Sequence, residues 1–147
     1  MQLVMFLTGF TGAGRSTCVI IAQRFCFEFC RATSIPWDDA TFPFTQITGP
    51  AVSLFGGRTI HDAAFLCGNV KNISNTQKDE WEHVRMLIID EISFFTMANL
   101  KNLDKHLKNI LSRQDLPYDG MLVFFLVTFI NSGQLVVKIM AFCMKEL

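Results

Sequence analysis

The sequence predicts an α/β domain: an open, mostly parallel sheet covered by helices on both faces. Three observations carry this. A short apolar run, "QLVMFLTG", passes through a glycine-rich loop into a helical pattern. A second apolar run, "MLIID", ends in acids and precedes an amphipathic helix, and a third, "MLVFFLVTFI", follows a turn. Continuous apolar strands without polar alternation are buried on both faces, and their alternation with helices implies parallel βαβ units.

The elements follow in order. Gln2 to Gly9 reads as a strand buried on both faces. From Ser16 or nearby, "STCVIIAQRFCFEFCRAT" has Val19, Ile20, Ala22, Phe25, Phe29 and Cys30 close to helical spacing, with Gln23, Arg24, Glu28 and Arg31 elsewhere;. "SIPWDDATFPF", with two prolines and two aspartates, is a connection. "TQITGPAVSLFGG" is the end of a strand turning into a short helix that Gly56 and Gly57 close. Met86 to Ile89 forms a second buried strand. "MANLKNLDKHLKNIL" places Leu100, Leu103, Leu107, Ile110 and Leu111 on one helical face, with lysines and Asp104 opposite;. "LPYDG" is a turn, and the last strand starts at Met121.

At 147 residues, half of them hydrophobic and fifteen of them Phe, the chain fits one domain with a well-filled core;. Thirteen basic and thirteen acidic residues cancel, so bulk charge points to neither nucleic acid nor membrane, and any such partner rests on local residues;. The five cysteines, Cys18, Cys26, Cys30, Cys67 and Cys143, have no CxxC pairing and read as small hydrophobes of a reducing, intracellular compartment;. Met121 to Ile130 has about half the roughly twenty residues of a membrane-spanning helix, so no membrane partner is expected. "MQLVMFLTG" lacks the features of a signal peptide.

Two stretches carry chemistry. "LTGFTGAGRST" matches G-x-x-x-x-G-K-[ST] at Gly9, Gly14 and Ser16, with Arg15 at the lysine position;. Glycines let backbone N–H groups curl around a polyphosphate, and a helix N-terminus adds its positive dipole end. Ser16 offers a hydroxyl to Mg2+. Read alone, the altered loop is equally a plain glycine turn. "MLIIDEIS" puts Asp90 and Glu91 just past a buried strand, where open parallel sheets gather their ligands. In a nucleotide hydrolase Asp90 holds Mg2+ through water and Glu91 positions the attacking water. Between these stretches, Thr48, Gly49 and His61 lie near the ends of elements. Spacing assigns them no role, and His61 is compatible with a ligand or with a structural hydrogen-bonder.

The series "LTGFTGAGRST", "TQITGPAVSLFGGRTIH", "MLIIDEISFF" and "LPYDGMLVFF" resembles, in order and spacing, the first motor domain of the PIF-type DNA helicases of superfamily 1, related to RecD. The likeness runs to about Phe125. It implies a three-layer P-loop NTPase (RecA-like) domain, ATP and Mg2+ as cofactors, and ATP-driven 5′ to 3′ unwinding of DNA in genome maintenance or in mobile elements. If the source is eukaryotic, it implies the nucleus. On this resemblance Gly9, Thr11, Gly12, Ala13, Gly14, Arg15, Ser16 and Thr17 hold phosphate, Ser16 and Asp90 serve the metal, and Glu91 is catalytic. Thr48, Gly49, Thr59 and His61 match the segment that lies along single-stranded DNA.

Three departures bear on activity. Arg15 keeps the charge of the family's lysine but presents a wider, planar group. Misplacing one preorganised charge raises a barrier by about 3 kcal/mol, so hydrolysis suffers more than binding. After "LVFF" the family continues Gly-Asp-Phe, one residue, then Gln-Leu, whereas this chain reads "LVTFINSGQLVVKI". Codons for Val127 to Leu135 exist that spell Gly-Asp-Phe-His-Gln-Leu-Gly-Pro-Val when read one nucleotide earlier, so a frame shift near Leu126 is expected. Residues 1–126 then form an incomplete motor domain, residues 127–147 a divergent tail, and Gln134 is no sensor. Third, the family's second motor domain, with its transition-state arginine, is expected to be missing. The competing readings are a stand-alone nucleotide-binding module and an inert relic. A kinase-like lid is disfavoured, since "VVKIMAFCMKEL" offers only Lys138 and Lys145.

Overall fold

Among the described residues five strands form one sheet in the order β1-β5-β4-β2-β3, and every pairing between them is parallel. The computed structural model describes residues 4–10, 12–37, 41–47, 58–64, 66, 73–112 and 116–128, with backbone alone at 15, 16 and 128. The elements are β1 Val4–Gly9, α1 Arg15–Ala32, β2 Phe44–Gln46, β3 Arg58–Thr59, α2 Ile60–Ala63, α3 Asn75–Glu82, β4 Met86–Asp90, α4 Met97–Leu111 and β5 Leu122–Thr128. Short 3-10 turns occupy Ile92–Phe94 and Pro117–Gly120. The α/β class, the parallel sheet, the helix after the loop and the strand at 86–90 agree with the sequence. Of "TQITGPAVSLFGG", the strand end is β2, while residues 48–57 lie outside the described residues.

Side chains alternate across the sheet, so β1, β4 and β5 each serve two cores;. On one face Phe44, Ile88 and Leu126 pack under Val19 of α1, with Leu7, Met86 and Phe124 beside them. On the other, Leu87, Ile89, Val123, Phe125 and Val127 meet Leu100, Leu103, Leu107 and Ile110 of α4. Leu100, Leu103 and Leu107 are fully buried, which at about 1.5–3 kcal/mol per side chain makes α4 a principal anchor of the sheet;. Trp81 ties α3 to α2 by donating from Nε1 to the Ala63 carbonyl at 2.9 Å. Ser74 and Gln77 close a reciprocal capping box at the start of α3;.

Three expectations need correction. β1 is not buried on both faces: it lies at the margin of the sheet that the described residues form, Met5 is exposed and its other residues are half-buried. The helical spacing of α1 is right, yet only Val19 and Cys30 are buried, while Ile20, Phe25 and Phe29 are exposed. The reason is the placement of the helix: Val19 rests on β5, β4 and β2, and the marginal β1 leaves one flank of α1 uncovered. Asp104 does not simply face solvent. Its carboxylate accepts from the Tyr118 backbone N–H at 2.6 Å and pairs with Lys108 at 3.1 Å. That contact pins the "PYDG" turn, where Tyr118 and Asp119 take positive φ of 50° and 56°.

Of the cysteines, Cys30 is buried, Cys26 half-buried and Cys18 exposed, so the reading as buried small hydrophobes fits Cys30 best. Burial and the neighbouring Cys30 push the Cys26 thiol up from its ordinary range;. Among the described residues no helix is long and apolar enough to cross a membrane.

Candidate functional site

β1 ends at Gly9, and Phe10 and Ala13 close a turn through Ala13 N–H to the Phe10 carbonyl at 3.1 Å. Gly12 and Gly14 have φ of +79° and +77°, in the left-handed region that side chains other than glycine's rarely adopt;. A Cβ at either position would meet nothing within 4 Å. Conformation, not crowding, therefore demands glycine here. Gly14 is the N-cap of α1 and supplies no side-chain cap. The first helical bond runs from Cys18 N–H to the Gly14 carbonyl at 3.0 Å, and the first turn contains no acid. The N–H groups of Arg15, Ser16 and Thr17 thus precede the helix's own ladder, at the positive end of an 18-residue dipole;.

The acids sit at the same edge. In a parallel sheet all carboxyl ends lie together, and Gly9, Thr128, Asp90, Gln46 and Thr59 each end their strand there. Gly9 pairs with Thr128, Leu7 with Leu126, and Ile89 with Phe125, so Asp90 comes level with Leu126. Gly9 is then two strands across and two residues further along, about 12 Å from Asp90 by strand spacing and rise. The loop closes part of this gap. Val19, one turn into α1, rests on Ile88 and Leu126, and Asp90 shares the face of Ile88;. The amino end of α1 therefore lies over the face that carries Asp90.

Asp90 Oδ1 accepts from the Glu91 N–H at 2.9 Å, which fixes the carboxylate at the end of its strand. Glu91 has φ 57° and ψ 40°, a left-handed conformation in a residue with a side chain. Such a conformation at a strand end re-aims the chain; Ser34, Ser112, Tyr118 and Asp119 adopt it in turns as well;. Both acids are half-buried. Among the described residues no group of three or more His, Cys, Asp or Glu could cage a metal. A hard cation that keeps most of its water and takes one carboxylate and ligand phosphates fits this oxygen-only donor set.

The remaining predicted residues divide. Thr59 ends β3 at this edge, and its hydroxyl caps α2 by accepting from the Asp62 N–H at 3.2 Å. His61 follows in α2, half-buried and edge-on to Phe95 with ring centroids 5.5 Å apart. Thr11, Thr48 and Gly49 lie outside the described residues, and at Arg15 and Ser16 the backbone forms the first turn of α1. Gln46 was missed by sequence reasoning. It is 3% exposed, stands in register with Asp90 on one side and Thr59 on the other, and its Oε1 has no hydrogen-bond partner among the described residues. Its only signal in the sequence is a polar residue ending the short run "FTQ".

No family model and no curated protein matches the chain. Solved structures do. The Pif1 helicase from Candida albicans aligns over 85% of this chain and 28% of its own at 25% identity, with a TM-score of 0.65. The Bacteroides Pif1 helicase in complex with ADP-AlF3 and ssDNA aligns over 96% and 33% at 21% identity, TM-score 0.62. Bacteroides Pif1 bound to ssDNA aligns over 96% and 33% at 20% identity, TM-score 0.63. The chain spans about a third of the length of these helicases. Its fold is that of a RecA-like, helicase-type nucleotide-binding domain.

Proposed function

We propose, on the premise that this is a Pif1-like helicase fold, that the chain binds ATP with Mg2+ at the carboxyl edge of its sheet and derives from an ATP-dependent DNA helicase. The observation that supports it best is the meeting of two features at one edge: the uncapped, glycine-shaped start of α1 and the Asp90–Glu91 pair. Gly9, Thr11, Gly12, Ala13, Gly14, Arg15 and Thr17 surround the phosphates in this reading, with backbone N–H groups as donors. Ser16 and Asp90 hold the ion, which neutralises charge on the phosphates, and Glu91 orients the attacking water. Single-stranded DNA lies along Thr48, Gly49, Thr59 and His61.

Arg15 places its charge differently from lysine, so we expect binding to outlast hydrolysis. The tail, residues 127–147, is read as divergent from the family. Its first two residues, Val127 and Thr128, complete β5 beside β1. An intracellular setting, with DNA as the site of action, goes with this reading.

The test is a titration of the full chain with a fluorescent ATP analogue, with and without Mg2+. Magnesium-dependent binding that Asp90→Asn weakens supports the proposal, and Arg15→Lys should tighten it. Absence of binding in all three proteins contradicts it and favours an inert relic. Single-stranded DNA added at low and raised salt tests the helicase ancestry. Phosphate contacts make affinity fall steeply with salt; nucleotide binding with no DNA binding favours a stand-alone module.

A further inference from the structure

Gln46 has the least expected environment at the sheet's carboxyl edge. It is 3% exposed, and its Oε1 is buried without a hydrogen-bond partner among the described residues. Buried carboxamides are normally hydrogen-bonded, and a dry, unpaired oxygen lowers stability. Its position narrows what the group is for. Gln46 pairs in register with Asp90 across β2 and β4, and it shares a face with Phe44, as Asp90 does with Ile88;. Phe44 and Ile88 belong to the same core cluster, so Gln46 and Asp90 project side by side from the face under α1. Register partners on one face have Cβ atoms about 5 Å apart, within reach of a glutamine side chain.

Resting on the nucleotide reading above, we infer that Gln46 is a polar member of the divalent-ion site, placed to accept a hydrogen bond from a water molecule that the ion carries beside Asp90. A carboxamide oxygen is a neutral acceptor, suited to the polarised O–H of an ion-bound water. The terminal amide turns about a soft torsion, so its oxygen reaches a donor that arrives at Asp90 without backbone movement.

The experiment measures Mn2+ affinity by electron paramagnetic resonance in the presence of ADP, together with Tm, for the unmodified chain, Gln46→Met, Gln46→Glu and Asp90→Asn. Gln46→Met removes an unpaired polar atom at similar volume. The inference expects its Tm to hold or rise while Mn2+ affinity in the ADP complex falls roughly 2- to 12-fold, the worth of one hydrogen bond. Gln46→Glu keeps an acceptor oxygen and should retain or tighten Mn2+. If Asp90→Asn weakens Mn2+ but Gln46→Met does not, this inference is overturned and the nucleotide site stands. If Gln46→Met lowers Tm and leaves Mn2+ affinity intact when folded, Gln46 is structural and the inference fails. Mn2+ affinity indifferent to Asp90→Asn overturns the nucleotide reading itself.

Discussion

Replacing Gly14 by alanine tests how the loop is held. Gly14 sits at φ +77° as the N-cap of α1, and a Cβ there meets nothing within 4 Å. The whole penalty is therefore conformational, about 1–2 kcal/mol for an L-residue in the left-handed region. It must appear in one of two places. If the loop keeps its shape, stability falls by that amount, which for a chain of this size lowers Tm by roughly 2–8 °C. If the loop relaxes, nucleotide binding must reimpose the shape, and affinity falls roughly 5- to 30-fold. Differential scanning calorimetry and a nucleotide titration on the same protein measure both. Gly14→Asn should suffer less, because asparagine tolerates this region. An alanine variant unchanged in both measurements, or an asparagine variant as impaired as alanine, would mean that the left-handed conformation at Gly14 does not hold the loop.

Leu103 is fully buried in the core, so Leu103→Ala should destabilise the fold by about 2–5 kcal/mol in denaturant titrations;. Asp104→Ala strips the acceptor from Tyr118 N–H and should lower stability by about 1.5–3 kcal/mol, with faster exchange of the Tyr118 amide by NMR;. Burial and then Lys105 hold His106 below its ordinary 6.5, despite a backbone hydrogen bond to Ala64 that acts the other way. The folded state thus favours neutral imidazole while the unfolded chain takes up the proton first. The His106 contribution is present above pH 6.5 and is lost as pH falls from there through the folded value;. Between pH 7 and 5 the Tm of the unmodified chain should fall more than that of His106→Leu, as followed by circular dichroism.

Some of this was legible because it rests on local pattern. The apolar period of "MANLKNLDKHLKNIL" identified the buried side of α4, and a glycine loop between an apolar run and a helix announced the start of α1. Placement of acids at a strand's end was equally plain, since "MLIIDEIS" leaves the strand on its own polar residues. What failed depended on neighbours. An apolar run such as "VMFLTG" reads alike at the centre or the margin of a sheet, so the exposure of Met5 and of the Phe25 and Phe29 flank had no local mark. Asp104 looked like a solvated helix residue because its partner, Tyr118, is fourteen positions away. Gln46 became visible only through the register that sets it beside Asp90.

The central claim is that the loop and the acids serve one nucleotide, and a double-mutant cycle measures that directly. Affinity for an ATP analogue is determined for the unmodified chain, Gly14→Ala, Asp90→Asn and the double variant, with Mg2+ and with EDTA. The two changes are expected to interact by at least about 0.5 kcal/mol with Mg2+, as residues sharing one ligand do, and to become additive in EDTA. Strict additivity under both conditions, with both single variants measurably weakened, would contradict it.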